Sequence, residues 1–447
     1  MKQFVVANGE VVMVEMQYRL EPDVVNQVFN QTEPLSYAVS LLQIVTMVVC
    51  KFSCGISKYP TILHRLYSDM KVYYMLFLCL TIHSCDSIIN EQKHISSTSA
   101  KAENVVEKLF IDSVFINLGT YSGVGKFSIL NRKITFIDQI FQTIAFLNQD
   151  LNVQGIYLGR GAGPHEVDNV HYAVNFEDSK YLVIDNFGYH KYLNDSIKEY
   201  FKVYDWDNTV STQELMNNPN GEQKGIYGID WRPDINSNFT AYAGDYLFLP
   251  IITEHPKLNA FQHESFYDET FSIGKFRISD GKLVQMGGQW PSVYLNHSFI
   301  PNLVGLDLAE MDQGVLASYH IDSLMHVYDE DLQLVEKFGV GGKGFRYDYR
   351  TTKTIEEAID NWFADLEDQS FYAGIYVHED LVFRVYHPNG KSGETRLQIY
   401  RDKILTHDVQ VPSRFRVIGK IGDYFYADGH VSELDESLYV YRFQLNE

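Results

Sequence analysis

The side chains of this protein that could do chemistry stand in short separated groups. Arg160, His165 and Glu166 share a glycine-rich turn, Asp230, Trp231 and Arg232 are consecutive, and Glu379 follows His378. An Arg beside a Trp grips a carboxylate or a sugar through charge and ring stacking, so these residues are the binding candidates. Asp185, Asn186, Asp245 and Asp428 fall at expected strand ends and offer the oxygen donors that calcium takes, which makes them the metal candidates. With 58 acidic residues in the chain, each group also has a plainer reading, a salt bridge between neighbouring elements or a packed loop. His320 and His326 flank an expected hairpin at Asp322-Ser323 and read as satisfied residues rather than ligands. The chain carries no nucleophile elbow, no H-E-x-x-H and no phosphate-binding Walker loop, so no residue is assigned a catalytic role.

Composition limits what could position these groups. The chain has 447 residues, with 31 Tyr and 28 Phe but only 4 Trp, a balance that suits half-buried pleated surfaces. The length exceeds what one hydrophobic core usually serves, so several domains or a repeat with a distributed core is expected. Residues 1–85 hold equal numbers of acidic and basic groups, so the net charge of −21 falls on the rest. A body that acidic repels a phosphate backbone, and nucleic acid is excluded as a partner class. All four cysteines lie at or before Cys85, which leaves neither a disulfide framework nor a thiolate metal site for the body.

The region around Cys85 carries an address. Met70-Lys71 is a second plausible start, an apolar run extends from Val72 through Leu80, and Ile82-His83-Ser84-Cys85 follows. A short basic start, an apolar stretch and a small residue before the cut make a secretory signal. The ending resembles a bacterial lipobox, which implies cleavage before Cys85 and lipid on its sulfur and new amine, anchoring the chain to a membrane. Residues 85–104 are polar and Ser-rich and read as a flexible tether. The expected organisation is therefore an upstream segment 1–69, with translation expected from Met70, a signal peptide 70–84, a tether 85–104 and a folded body 105–447.

The body repeats. Ile144 to Leu151 leads into Tyr157 to Pro164, and Met325 to Leu332 leads into Lys337 to Phe345, each an alternating strand, an acidic turn and a glycine-rich exit. Fainter copies give six such strands, centred near 145, 203, 274, 327, 398 and 440. Spacing of about 40–70 residues is that of propeller blades with variable loops. The expected fold is all-β, a six-bladed β-propeller, with 109–117 as the outer strand that completes the last blade and closes the ring. The glycines at 159, 161 and 163 then serve the crossover from an outer strand to the next inner one rather than a dinucleotide. Thr354 and Glu357 have capping-box spacing and start a helical insertion through Ile359, Trp362, Phe363 and Leu366, a lid, a partner surface or simple packing.

The stretch Gly159-Arg-Gly-Ala-Gly-Pro164-His-Glu166 resembles the G-x-G-x-GPxE turn of six-bladed propeller lipoproteins common in Bacteroidetes, which relate to NHL-repeat and TolB-like propellers. The second copy at Gly339–Phe345 lacks the Pro-x-Glu portion. The resemblance implies a propeller at the cell envelope, lipid-anchored to the outer membrane on its periplasmic or surface face. The function expected is a scaffold that binds a small molecule, a glycan or a protein. The competing expectation is a calcium-dependent hydrolase or lyase of the NHL or lactonase type, with its metal on the ring axis.

Overall fold

The computed structural model describes residues 2–7, 10–15, 96–99 and 102–445, apart from short interruptions of which the longest are 203–209 and 231–240. The chain divides into two compact units, Met1–Gln92 and Lys93–Glu447. What is described of the first is an antiparallel hairpin of Lys2–Ala7 with Glu10–Glu15. The expected signal segment and Cys85 lie outside the described residues.

The second unit is a β-propeller of antiparallel sheets. The first sheet runs Gly125–Leu130, Lys133–Asp138, Thr143–Leu147 and Val153–Leu158. The second runs Tyr172–Glu177, Lys180–Ile184, Gly188–Leu193 and Ser196–Lys202. In the third, the innermost strand is broken into Tyr227–Ile229 and Ala241–Ala243, both paired to Tyr246–Thr253, with Phe271–Arg277 and Leu283–Gln289 outside. The fourth (Leu306–Met311 to Leu334–Gly339) and the fifth (Phe371–His378 to Ile404–Val411) are four-stranded meanders. The sixth places Arg416–Ile421 innermost, then Tyr424–Asp428, then Ser437–Phe443. Ile111–Phe115, from the stretch expected to supply the last outer strand, pairs antiparallel with that final strand.

Local chemistry explains the repeat. After the third strand of the first sheet, the Asn148 side chain accepts the N–H groups of Asp150 and Asn152, and Leu151 adopts φ 62°. After the third strand of the fourth sheet, Asp329 accepts the N–H groups of Asp331 and Gln333, and Leu332 adopts φ 55°. The two copies seen in the sequence are thus one turn built twice, an Asx side chain holding a left-handed Leu. A bulge interrupts the pairing of third and fourth strands in each of the first five sheets. In the second sheet the mark expected near 203 begins at Phe201 and Lys202, which lie at the end of the fourth strand rather than on the third; the rest of it lies outside the described residues. The third strand of this sheet, Gly188–Leu193, reads GYHKYL with no apolar alternation, so the sequence pattern passes over it.

Packing between sheets is continuous. Ile137 and Phe146 meet Ala173 and Tyr181, Leu182 and Ile184 meet Leu247 and Phe276, and Phe248 and Ile273 meet Leu308 and Tyr319. Leu316 and Phe338 then meet Ile375 and Tyr400, and Phe383 and Leu397 meet Phe425 and Phe443. The last seam, Phe127 and Phe136 against Tyr426 and Val440, returns to the first sheet.

Part of the segment expected as a loose tether is paired. Ser96–Ser99 lies parallel to Leu334–Gly339, and Ala102–Val106 lies parallel to Ile404–Val411, each as a fifth strand. An outer strand presents a row of unpaired backbone groups, and a polar segment passing along it gains hydrogen bonds by pairing. Composition reads the side chains of such a segment and misses this opportunity.

The helix Ile355–Asp368 forms where the capping pattern placed it. The Thr354 hydroxyl accepts the Glu357 N–H at 3.2 Å, and the Glu357 carboxylate accepts the Lys353 N–H at 2.8 Å.

Phe127 is fully buried in the seam between the sixth and first sheets. Phe127→Ala should lower unfolding free energy by about 3–5 kcal/mol. A denaturant midpoint equal to that of the parent would place Phe127 outside the closing seam.

Candidate functional site

The innermost strands of the first, second, fourth, fifth and sixth sheets line an axial channel of about 250 Å³. Its wall mixes apolar side chains such as Leu308 and Ile375 with Ser128, Asn175, Glu310, Tyr376 and Arg416. Asn175 ties two sheets at this wall, accepting the Asn131 N–H at 2.8 Å and donating to the Ile129 carbonyl at 3.1 Å.

Charged residues meet at the axis. The Arg416 guanidinium reaches Asp428 at 3.4 Å and donates to the Phe127 carbonyl at 3.2 Å. The other Asp428 oxygen accepts the N–H groups of Phe127 at 2.9 Å and Gly429 at 3.2 Å. Asp307, fully buried, accepts the Gly374 N–H at 2.8 Å. Gly374 has φ 73°, and a Cβ there would press on the Arg416 stem at 3.1 Å, so both backbone and space call for glycine. Lys126 is buried with its ammonium 5.6 Å from the Tyr172 ring. Burial pulls the Lys126 amine down to about 7, Arg416 pushes the same way, and Asp428 opposes them. Each contact joins one innermost strand to another or to the strand behind it.

Glu310 stands where the channel meets water. Burial raises its carboxyl to about 7, and Asp312 adds to the rise. Burial also raises the Tyr376 phenol to about 12, with Tyr172 and Glu310 adding to it. This end of the channel offers a carboxyl group, two phenols and an amide, a set suited to hydrogen bonding a small polar group.

A second buried network lies off the axis. His326 pairs with Asp322 at 2.9 Å and contacts the Tyr328 hydroxyl, which meets that of Tyr319 at 3.0 Å. Burial lowers the His326 imidazole, and Asp322 counteracts this. Arg384 donates to Ser318 Oγ at 2.7 Å and to the Ser323 carbonyl at 2.8 Å, and lies 3.5 Å over the Tyr372 ring. None of these side chains lines the axial channel, and the network serves to join the fourth and fifth sheets.

The candidates read from the sequence do not form one site. Arg160 and Glu166 lie exposed on the glycine crossover, where Glu166 Oε2 accepts the Gly163 N–H at 2.8 Å. A Cβ at Gly161 would overlap that carboxylate, so the Glu of the motif closes the turn on itself. His378 and Glu379 form the first hairpin of the fifth sheet, 3.8 Å apart, with the His378 ring edge-on to Phe425. A crossover meets the start of an innermost strand, and a first hairpin meets its end. These two groups therefore belong to opposite faces of the ring. Asp230 is buried at the break of the third innermost strand, and its N–H donates to the Pro250 carbonyl. Asp245 sits in the turn between Ala241–Ala243 and Tyr246–Thr253, and its carbonyl accepts the Ile278 N–H. Asp428 alone of the described candidates reaches the axis, where Arg416 and two backbone N–H groups hold it. His165, Asp185, Asn186, Trp231 and Arg232 lie outside the described residues. Among the described residues no group of three or more His, Cys, Asp or Glu is placed to hold a metal ion.

Lys126, Asp307, Glu310 and Arg416 escaped the sequence reading. The signal available was a charged residue inside an otherwise apolar strand, as in GKFSIL, LDLAEM and RVIGKI. That pattern marks a buried charge but not the axis it faces.

Fold and channel together define a β-propeller with a mixed-charge axis. Among solved structures the chain is similar to a member of the DUF4221 family from Bacteroides vulgatus, at 14% identity and a TM-score of 0.54, covering 78% of this chain and 99% of that one. It is also similar to a protein of Bacteroides fragilis predicted to be exported, at 12% identity and a TM-score of 0.45, covering 78% of this chain and 100% of that one. The first likeness concerns the fold alone. No protein-family model matches the sequence, and no curated protein matches it. No helix among the described residues is long and apolar enough to cross a membrane.

The Lys126 amine titrates near 7 when folded and near 10.5 when unfolded, so the unfolded chain binds more protons between those values. Its contribution to stability is complete above about 10.5 and is lost as pH falls to about 7. Lys126→Met removes that loss, so its stability advantage over the parent should be largest at and below pH 7 and shrink as pH rises. Parallel denaturation curves of the two proteins at every pH would show that Lys126 does not change protonation on folding.

Proposed function

We propose that this chain is a six-bladed propeller lipoprotein, anchored at Cys85 to the outer membrane of the cell envelope, that binds a small molecule, a glycan or a protein without catalysing a reaction. The blade count rests on the succession of sheets and inter-sheet seams around the ring. The anchor rests on the apolar run from Val72 and the Ile82-His83-Ser84-Cys85 ending.

One observation carries the binding reading. The axial carboxylates of Asp307 and Asp428 are turned toward backbone N–H groups and Arg416, where they knit strands together. A metal-dependent propeller hydrolase needs such groups to converge on a cation and leave a position open for substrate. Here Arg416 of the protein itself faces Asp428, backbone N–H groups take oxygens of both carboxylates, and the polar end of the channel is left for recognition.

Calcium titration of the purified protein tests this. A ligand that binds the native state raises melting temperature by mass action. The melting temperature should stay constant as calcium is added. A saturable rise that Asp428→Asn abolishes would overturn the binding reading in favour of a calcium enzyme.

The anchor has a separate test. In a diderm bacterial host, the parent should fractionate with membranes and Cys85→Ser with the soluble fraction. The N-terminal mass of the mature parent should correspond to a lipid-modified Cys85. An unmodified N-terminus upstream of Met70 would remove the lipoprotein assignment and leave the propeller untouched.

A further inference from the structure

The helix Ile355–Asp368 is held firmly on one side. Ala358 and Leu366 are buried, and Asn302 Nδ2 donates to the Ala358 carbonyl at 2.9 Å and to Asp365 at 2.8 Å. Arg350 closes on the same Asp365 at 2.7 Å. On the other side Ile355, Ile359 and Phe363 are 49%, 67% and 73% exposed. Spacing of four residues places them on one stripe. That stripe borders a cleft of about 350 Å³ completed by Phe261, Pro301 and Trp362. An apolar stripe on a rigidly docked helix is not explained by the packing of the ring, since the buried face already supplies that.

The charge on the helix itself is one-sided. Glu356, Glu357, Asp360, Glu367 and Asp368 are exposed on the helix, which has no basic residue, and Glu254 lines the opposite wall. Of the nearby cations, Lys257 is held by the Asn217 carbonyl at 2.8 Å, Arg350 by Asp365 at 2.7 Å and Arg346 by the Asp368 carbonyl at 2.7 Å, while Lys353 precedes the helix and the Lys391 N–H meets the Leu366 carbonyl near its end.

We propose that this cleft docks a cationic amphipathic helical segment of a partner protein, its apolar side chains entering between Phe261 and Phe363 and its basic ones facing Glu254, Glu356 and Asp360. The proposal rests on the binding-scaffold reading and specifies a protein partner. A helix laid into an apolar groove buries the exposed stripe, and opposite charge at the rim sets register and speeds encounter. A second copy of this chain would set one acidic rim against another. An anionic membrane surface would be repelled for the same reason.

The test uses the full chain and two synthetic helical peptides, one built from Leu and Lys and the other with Glu in place of every Lys. Fluorescence anisotropy should show saturable binding of the Leu/Lys peptide, weakened by added salt, and little binding of the Leu/Glu peptide. Phe363→Ser and Ile359→Ser alter exposed residues, so each should keep the parental melting temperature while losing affinity about tenfold or more. Equal binding of both peptides, or parental affinity in both variants, would overturn the proposal. So would self-association of the parent that either substitution abolishes, which would make the occupant a second copy, or co-sedimentation of the parent but not Phe363→Ser with anionic vesicles. The calcium result is independent: peptide binding can fail while the melting temperature stays constant, and that pair of outcomes removes this partner alone.

Discussion

A small sheet with apolar side chains on both faces is not stable by itself, and this is the constraint from which the architecture follows. In the second sheet Tyr181 and Val183 pack toward the first sheet while Leu182 and Ile184 pack toward the third. Period-two alternation sends successive residues to opposite faces, so a strand apolar at every position needs a neighbour on each side. A row of such sheets leaves an uncovered face at each end. Curving the row until Phe127 and Phe136 meet Tyr426 and Val440 removes both ends at once.

Closing the ring brings the innermost strands together, and that creates the polar problem at the axis. Lys126, Asp307, Arg416 and Asp428 are taken out of water there. Buried charges persist when they are paired and hydrogen-bonded, and are otherwise costly. The arrangement meets this condition for Asp428, which Arg416 and two backbone N–H groups hold, while one oxygen of Asp307 takes the Gly374 N–H. Contacts of this kind fix which innermost strand lies beside which, a role that apolar packing, being non-directional, performs less well. The recognition chemistry left over lies where water reaches the ring, at Glu310 and Tyr376 and along the exposed stripe of the helix.

The candidate site was less legible than the fold, and the residues show why. An acidic residue at a strand end reads as a metal ligand, and Asp428 does reach the axis. What it meets there is Arg416, a neighbour set by ring closure and invisible in the local pattern. Glu166 in its sequence context suits a binding group, yet its carboxylate folds back on Gly163, three residues away. Lys126 gives no site signal in the sequence, because one charge in an apolar strand carries no information about which way it points. The paired strands of 96–99 and 102–106 were hidden for a related reason, since backbone pairing depends on an edge contributed by residues far along the chain.

By itself the sequence determined the repeating unit. Alternation in GKFSIL and KITFID, the Asn148 and Asp329 turns and the Thr354 cap are interactions within a few residues, so their patterns can be read in place. The tertiary structure alone decided which charges face each other across the axis, which side of the helix stays exposed and which outer edges take up the N-terminal segment. Those outcomes depend on contacts between residues tens to hundreds of positions apart, such as Phe127 with Asp428. Such contacts exist only once the ring has closed.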